Sequence, residues 1–258
     1  MSNELADKEY WQRSWKKSSK LTNNFANPFK QQLASHVTVA NKDKFALEIG
    51  CVPGTYLGYL GRDFGYIVHG IDYVSGAEKT TINTLKKFGI ENAEIFEVDF
   101  LSWNPPRLYD LICSFGFIEH FVDVDAIVNQ HIDALKPGGT LILEIPNFSG
   151  MQFFLHYFLD RENLKRHNTE IMNLNFFMNI ACRHNLTIKC LEYTGGVFDF
   201  WWENENPTIM QKISFVLLRP VAFIGRKISI KSRFTSPFII LIATKKNEKK
   251  PLLVDGEK

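Results

Sequence analysis

No two cysteines in this chain stand at the CxxC spacing of a zinc or redox site: Cys51, Cys113, Cys182 and Cys190 are scattered, three of them in apolar runs. Buried, unpaired thiols in a reducing compartment are the expectation. Also missing is any apolar stretch of the ~20 residues that a bilayer-spanning helix needs. The opening MSNELADKEYW lacks both the basic start and the apolar run of a secretory leader, so a cytoplasmic protein is expected. Charge is nearly balanced, with 30 Lys and Arg against 28 Asp and Glu for a net +2, and general polyanion binding is not indicated. Acid is absent from one long stretch. Between Asn206 and Asn247 no Asp or Glu occurs, while Lys212, Arg219, Arg226, Lys227, Lys231, Arg233, Lys245 and Lys246 all fall there. The C-terminal third is therefore a basic, apolar unit.

What is present is enough for one large core, at 258 residues and 45% hydrophobic content. The chain is organised around FALEIGCVPGT, residues 45–55. An apolar run carrying one carboxylate, Glu48, leads into a turn through Gly50, Pro53 and Gly54, and an apolar helical pattern resumes at Tyr56. That is a strand, a tight turn and a helix. Glycine permits positive φ and close backbone approach to a ligand, and the helix N-terminus offers unpaired N–H groups. A second strand, Tyr66 to Ile71, ends at Asp72, about twenty residues beyond the loop, where a carboxylate can accept both hydrogen bonds of a ribose diol.

Further along, Ser75 to Phe88 reads as a helix capped by Ser75 with Glu78 three residues on, and Ala93 to Val98 as a third strand running into Asp99 and Phe100. Tyr109 to Phe115 is a fourth apolar strand, Val124 to Leu135 a helix, Lys136-Pro137-Gly138-Gly139 a turn, and Thr140 to Ile145 a fifth strand. Strict alternation of strand and helix calls for a parallel sheet covered on both faces. Ahead of it lie a segment with Trp11 and Trp15 four apart, on one face if helical, and an amphipathic segment from Asn24 to His36. Behind it, Thr169 to His184 suits a helix, and Leu186 to Tyr193 with Phe238 to Thr244 suits a terminal hairpin.

Taken together, ALEIGCVPGT, GIDYV, EVDF, YDLICSFGFIEHF and LKPGGTLILEIPNF, in this order, resemble the class I S-adenosylmethionine-dependent methyltransferases. Within them the chain resembles the small-molecule branch similar to the ubiquinone-biosynthesis O-methyltransferases. The resemblance spans residues 44–148. It implies an α/β, doubly wound, seven-stranded and mostly parallel sheet of the Rossmann-like methyltransferase type, with an antiparallel C-terminal strand and helical lid insertions. It implies S-adenosylmethionine as cofactor, with Glu48, Gly50 and Gly54 near the methionine moiety, Asp72 on the ribose hydroxyls, the adjoining Tyr73 also cofactor-binding, Asp99 on the adenine amine, Phe100 against the ring, and Ser114 and Phe115 lining the pocket beside the methyl group. The expected organisation is a helical cap over 1–43, the methyltransferase domain over 44–246 with insertions at 147–185 and 195–237, and a polar tail over 247–258.

The chain departs from the family pattern in two places. Val52 replaces a second loop glycine, which sets β-branched methyls where backbone normally meets ligand. Gly116 stands where some relatives place a metal-binding carboxylate, and Glu119 with His120 alone cannot close a coordination shell, so no metal is expected. Methyl transfer from a sulfonium needs alignment more than acid catalysis, and His120, with Glu119 beside it, is the candidate base if the acceptor carries a proton. The insertions, with Phe153, Phe154, Tyr157 and Phe158 in the first and Phe198, Phe200, Trp201 and Trp202 in the second, read as a substrate lid, or as added core or a dimer interface. Pro220 should split the second insertion into two helical pieces. Residues 209–230 are apolar with only basic charges, which suits either a peripheral membrane contact or burial against the lid.

A small, apolar or lipid-like acceptor is the reading these features favour. An RNA methyltransferase rests only on the basic third and lacks an Asn-Pro-Pro-Tyr type motif; a cofactor-binding protein without activity rests only on Val52.

Overall fold

The structure is a computed structural model that describes residues 3–18, 27–41, 43–197, 207–225, 227–228 and 230–247. Its strands are β1 (Phe45–Ile49), β2 (Ile67–Ile71), β3 (Ala93–Phe96), β4 (Tyr109–Phe115), β5 (Leu135–Pro146), β6 (Leu186–Thr194) and β7 (Phe238–Lys245). All seven join one sheet in the order β3-β2-β1-β4-β5-β7-β6. Neighbours among β1 to β5 are parallel, and β7 runs antiparallel between β5 and β6. The doubly wound, mostly parallel sheet with a reversed C-terminal strand is thus the architecture expected from the motifs.

The two faces are covered because the central strands alternate with period two while both sets of side chains are apolar. Leu47, Ile49, Ile112, Leu141, Leu143 and Leu241 pack on one side, under α5 (Val124–Asp133) and α8 (Leu174–Arg183). Ala46, Leu111, Cys113, Ile142, Ile240 and Ile242 pack on the other, against α2 (Lys30–His36), α3 (Thr55–Phe64) and α4 (Ala77–Lys87). Three cysteines are buried and all four are free thiols. An N-terminal helix, α1 (Lys8–Ser18), lies outside both layers. Between the fifth strand and the hairpin come α6 (Met151–Leu159) and α7 (Arg161–Lys165), and between the hairpin strands comes α9 (Ile209–Gly225).

Four local expectations need correction. Helix α9 continues through Pro220 for 17 residues. Proline removes only one backbone donor, and the carbonyl it leaves, that of Val216, sits on a residue 60% exposed where water can bond it. The cap of α4 is Gly76, not Ser75, with no side-chain cap; the N–H groups of Ser75 and Gly76 go instead to Gln12 and Glu97. Residues 136–139 are not a free turn but part of β5, bulging between the pairs Tyr109–Leu135 and Leu111–Thr140. The helix expected from Thr169 is a single 3-10 turn, Thr169–Ile171, followed by α8, because Asn173 caps a new start by accepting from Phe176 N–H. Phe198, Phe200, Trp201, Trp202, Arg226 and the tail beyond Asn247 lie outside the described residues.

No helix among the described residues is long and apolar enough to cross a membrane.

Candidate active site

A cavity of about 410 Å³ opens at the carboxyl ends of β1, β2 and β4. This is where an open α/β sheet changes the direction of its winding and leaves a crevice. The turn after β1 shapes one wall. Gly50 has φ +73°, which favours glycine, and a Cβ there would come within 2.8 Å of the Phe117 ring, which would have to shift. Glu48 reaches past it to accept from Leu57 N–H at 3.0 Å, satisfying an orphan donor of the first turn of α3, whose N-cap Gly54 carries no side chain. Burial raises the Glu48 carboxyl well above its usual range.

Asp72 ends β2 with both oxygens fixed: Oδ2 accepts from Val52 N–H at 3.2 Å and Oδ1 from Val74 N–H at 3.0 Å. Each oxygen keeps a second lone pair for a ligand. Burial raises its pKa to about 6 against those backbone bonds. Val52 therefore serves the loop through its N–H, and it is not among the residues with positive φ, so the β-branched side chain meets no backbone conflict. Asp99 caps the 3-10 turn Phe100–Ser102 by accepting from Leu101 N–H at 2.9 Å. Phe100 is 5% exposed, edge-on to His131 and Phe117. The Tyr73 hydroxyl donates to Glu4 at 3.4 Å. Glu48, Gly50, Asp72, Tyr73, Asp99, Phe100 and Phe115 all line the cavity.

Gly54 and Ser114 do not line it. A Cβ at Gly54 would strike Thr81 at 2.7 Å, which makes this glycine a close contact between helices α3 and α4. Ser114 is fully buried, and its hydroxyl bonds His131 Nε2 at 3.2 Å on the α5 side of the sheet. Strand alternation explains the difference, since Phe115 points to the opposite face and stacks on Tyr56 with centroids 3.9 Å apart.

The segment after β4 brings Glu119 and His120 to the cavity, both buried. His120 Nδ1 lies 2.7 Å from the Arg166 carbonyl, which can only accept, so Nδ1 carries the proton and Nε2 is bare, 3.7 Å from Glu119 Oε1. Burial lowers the His120 pKa to about 4, which leaves it neutral and a weak base near pH 7. Gly116 has φ +63°, a conformation that disfavours a carboxylate-bearing residue at that position.

Several lining residues carried no local signal in the sequence. His167, two residues beyond α7, brings its ring centroid to 4.4 Å from that of His120. Glu144, from β5, is 4% exposed, and its Oε1 has no hydrogen-bond partner among the described residues. Trp11 and Trp15 line the cavity from α1, with Trp11 edge-on to His120 at 4.7 Å. The i, i+4 spacing of the tryptophans was visible; that their shared face turns to a cavity was not. Of residues 195–237, none of those described lines the cavity.

Residues 23–189 match a family profile described as a methyltransferase domain. Over 96 residues the chain is 32% identical to a Methanococcus maripaludis protein named "Probable cobalt-precorrin-6B C(15)-methyltransferase (decarboxylating)", a match covering 37% of this chain and 48% of that one. The chain thus spans about half the length of this curated relative. Among solved structures, geranyl diphosphate C-methyltransferase of Streptomyces coelicolor, crystallised with magnesium, geranyl diphosphate and S-adenosyl-L-homocysteine, has a TM-score of 0.56 at 13% identity, covering 83% of this chain and 77% of that one. The N-methyltransferase NodS of Bradyrhizobium japonicum, in complex with S-adenosyl-L-homocysteine, has a TM-score of 0.52 at 15% identity, covering 90% and 98%. At these identities the two structures share the fold. The family match rests on most of the domain, and the chain belongs to the class I S-adenosylmethionine-dependent methyltransferases.

Proposed function

We propose that the protein transfers the methyl group of S-adenosylmethionine to a small, apolar or lipid-like acceptor bound in this cavity. One observation carries the reading: Glu48 near the end of β1, Asp72 just after β2 and Asp99 beyond β3, at the carboxyl ends of three adjacent parallel strands, line the same cavity beside Gly50, where any side chain would be strained and would press on Phe117. The group fits this donor set. Asp72 offers two oriented oxygens to a ribose diol, Asp99 an acceptor for an exocyclic amine, Phe100 an apolar flank for a purine, and the first turn of α3 with Glu48 a polar cradle for the methionine moiety.

The cofactor supplies an already activated methyl group, so the protein's part is to align the acceptor and exclude water. Tyr56, Phe115, Phe117 and Phe121 give the cavity aromatic walls suited to an apolar acceptor. Neutral His120 can accept a hydrogen bond at Nε2 from an acceptor hydroxyl or amine, with Glu119 beside it. Residues 1–43 and 147–185 serve as cap and lid in this reading.

Acceptor delivery from a bilayer is supported by α6 and α9. On α9 and just beyond it, Ile209, Met210, Val216, Leu217, Phe223, Ile224 and Ile230 are 54–76% exposed, as are Phe154 and Phe158 of α6 at 56% and 70%. Gln211 ties the start of α9 to the end of α6 by donating to Leu159 at 3.0 Å. With Lys212, Arg219 and Lys227 as its charges among the described residues, this surface matches an anionic membrane face, and co-sedimentation with vesicles tests it.

Calorimetry of S-adenosylmethionine binding to wild type and Asp72→Ala tests the cofactor assignment. Two charge-assisted hydrogen bonds at ~1.5 to 3 kcal/mol each predict at least a tenfold weaker Kd. Unchanged affinity would remove Asp72 from the site.

A further inference from the structure

We infer that Glu119, His120 and His167 form a binding site for one divalent transition-metal ion of the zinc, cobalt or ferrous class, on the wall of the methyl-transfer cavity. One ligand atom from each lies within 4.8 Å of the others, and all three residues are buried. The sequence expectation of no metal counted Glu119 and His120 alone. His167 arrives from the insertion, where nothing in the local sequence marks it as their neighbour.

The imidazoles are set up as ligands by their other nitrogens. His120 Nδ1 donates to the Arg166 carbonyl at 2.7 Å, and His167 Nδ1 donates to the Asn163 carbonyl at 2.6 Å. Both rings therefore keep a bare Nε2, the arrangement by which proteins fix the tautomer and aim of metal-binding histidines. The rings are held from the sides as well, His120 by Trp11 at 4.7 Å and His167 by Phe148 at 4.7 Å. The backbone locks the insertion in place: Asn168 N–H donates to the Glu119 carbonyl at 2.7 Å, and Asn168 Nδ2 donates to the Phe121 carbonyl at 3.3 Å.

Two nitrogens and one carboxylate select a borderline transition metal over magnesium or calcium, which favour all-oxygen shells. Three protein ligands leave coordination positions open. Because the same three residues line the cavity, those positions face the acceptor space, where they suit an acceptor bearing an anionic oxygen such as a phenolate or carboxylate. This last step rests on the methyl-transfer reading; the metal site itself does not.

Full-length protein stripped with chelator and dialysed is titrated with cobalt(II), following visible d–d absorption, and zinc(II) is then added as competitor. Wild type is expected to bind one cobalt per chain, displaced by zinc, with affinity falling by roughly 100-fold or more in His167→Ala and in the isosteric Glu119→Gln. Calorimetry with S-adenosylmethionine reports on folding and on the cofactor site separately, and His167→Ala is expected to retain that binding. Absence of cobalt binding in wild type that still binds S-adenosylmethionine overturns the site. Cobalt absorption unaffected by both substitutions overturns it equally, since the ligands are then elsewhere. Cobalt binding lost in the variants, in a protein that shows no affinity for S-adenosylmethionine, supports the metal site and refutes the cofactor reading instead.

Discussion

Glu144 allows a test of the site's electrostatics that needs no substrate. Its carboxyl stands on β5 between Phe115 of β4 and Ile240 of β7, 4% exposed, with Oε1 unbonded among the described residues. Burial raises its pKa to about 8, opposed only by a backbone N–H of Gly116. The folded state thus holds a proton that the unfolded chain releases near the ordinary glutamate value of ~4.3. Stability from this group is fully present below that value and is lost as pH rises through about 8. Inside the window the slope is ~1.4 kcal/mol per pH unit.

Other buried groups overlap only part of that window. His120, His131 and His156 have folded pKa values lowered to about 4, 4 and 3, so their effect runs the opposite way and is complete above the ordinary histidine value of ~6.5. Asp72, raised to about 6, also finishes there. Glu48 is raised as well and contributes to both proteins alike. Comparing wild type with Glu144→Gln between roughly pH 6.5 and 8 therefore isolates one carboxyl. Urea denaturation at intervals across this range is the assay. The variant should gain on wild type by about 2 kcal/mol from the lower to the upper end. Parallel stability profiles would mean that Glu144 is already ionised in the folded protein and would refute the argument from burial.

Substituting Gly50 by Ala combines a left-handed backbone penalty of ~1 to 2 kcal/mol with the 2.8 Å approach to Phe117, and should weaken S-adenosylmethionine binding at least ~10-fold in calorimetry. Gly76→Ala, at φ +84° with nothing within 4 Å, is the control that carries the backbone penalty alone; equal losses of affinity in both would discard the steric part. For the membrane face, changing Lys212, Arg219 and Lys227 to Gln should cut partitioning onto phosphatidylserine-rich vesicles at low salt by on the order of 100-fold, at ~1 kcal/mol per basic residue. A wild-type protein that stays in the supernatant, or variants that pellet equally, would assign the exposed α9 face to something other than a charged bilayer.

The sheet was legible because its strands are short apolar runs bounded by turns, a local pattern. The same holds for Glu48, Asp72 and Asp99, whose positions at strand ends follow from the strands themselves. What could not be read locally was set by packing at a distance. His167 meets His120 because a backbone bond from Asn168 closes the insertion onto Glu119. Glu144 looks like any strand residue until the neighbouring strands leave its carboxyl without water. Ser114 and Phe115 are adjacent in sequence, yet the pleat sends one to α5 and the other to the cavity, so a motif that names both is right for only one lining side chain. Pro220 misled in the opposite direction, since an exposed helix tolerates one missing donor where a buried one would not.

The N-terminal segment bridges two sides of the cavity. Gln12 of α1 exchanges two hydrogen bonds of 3.0 Å with the backbone of Ser75, beside the end of β2 where Asp72 lies. Upstream, Leu5 N–H bonds the His120 carbonyl at 2.7 Å and Val122 N–H bonds the Asn3 carbonyl at 2.8 Å, pinning the same N-terminal segment to the Glu119–His120 side. Arg166 adds a cation over the Tyr10 ring at 4.1 Å, joining α1 to the turn that carries His167. The N-terminal segment is therefore bonded to both the β2 side and the His120 side of the cavity, and displacing it would disturb both together. Strand ends and the segments just after them supply Glu48, Asp72, Asp99 and the rings of Tyr56, Phe115, Phe117 and Phe121, while α1 adds Trp11 and Trp15 and the first insertion adds His167. Substitutions at Trp11, Trp15 and His167 therefore change the cavity wall without touching the strands.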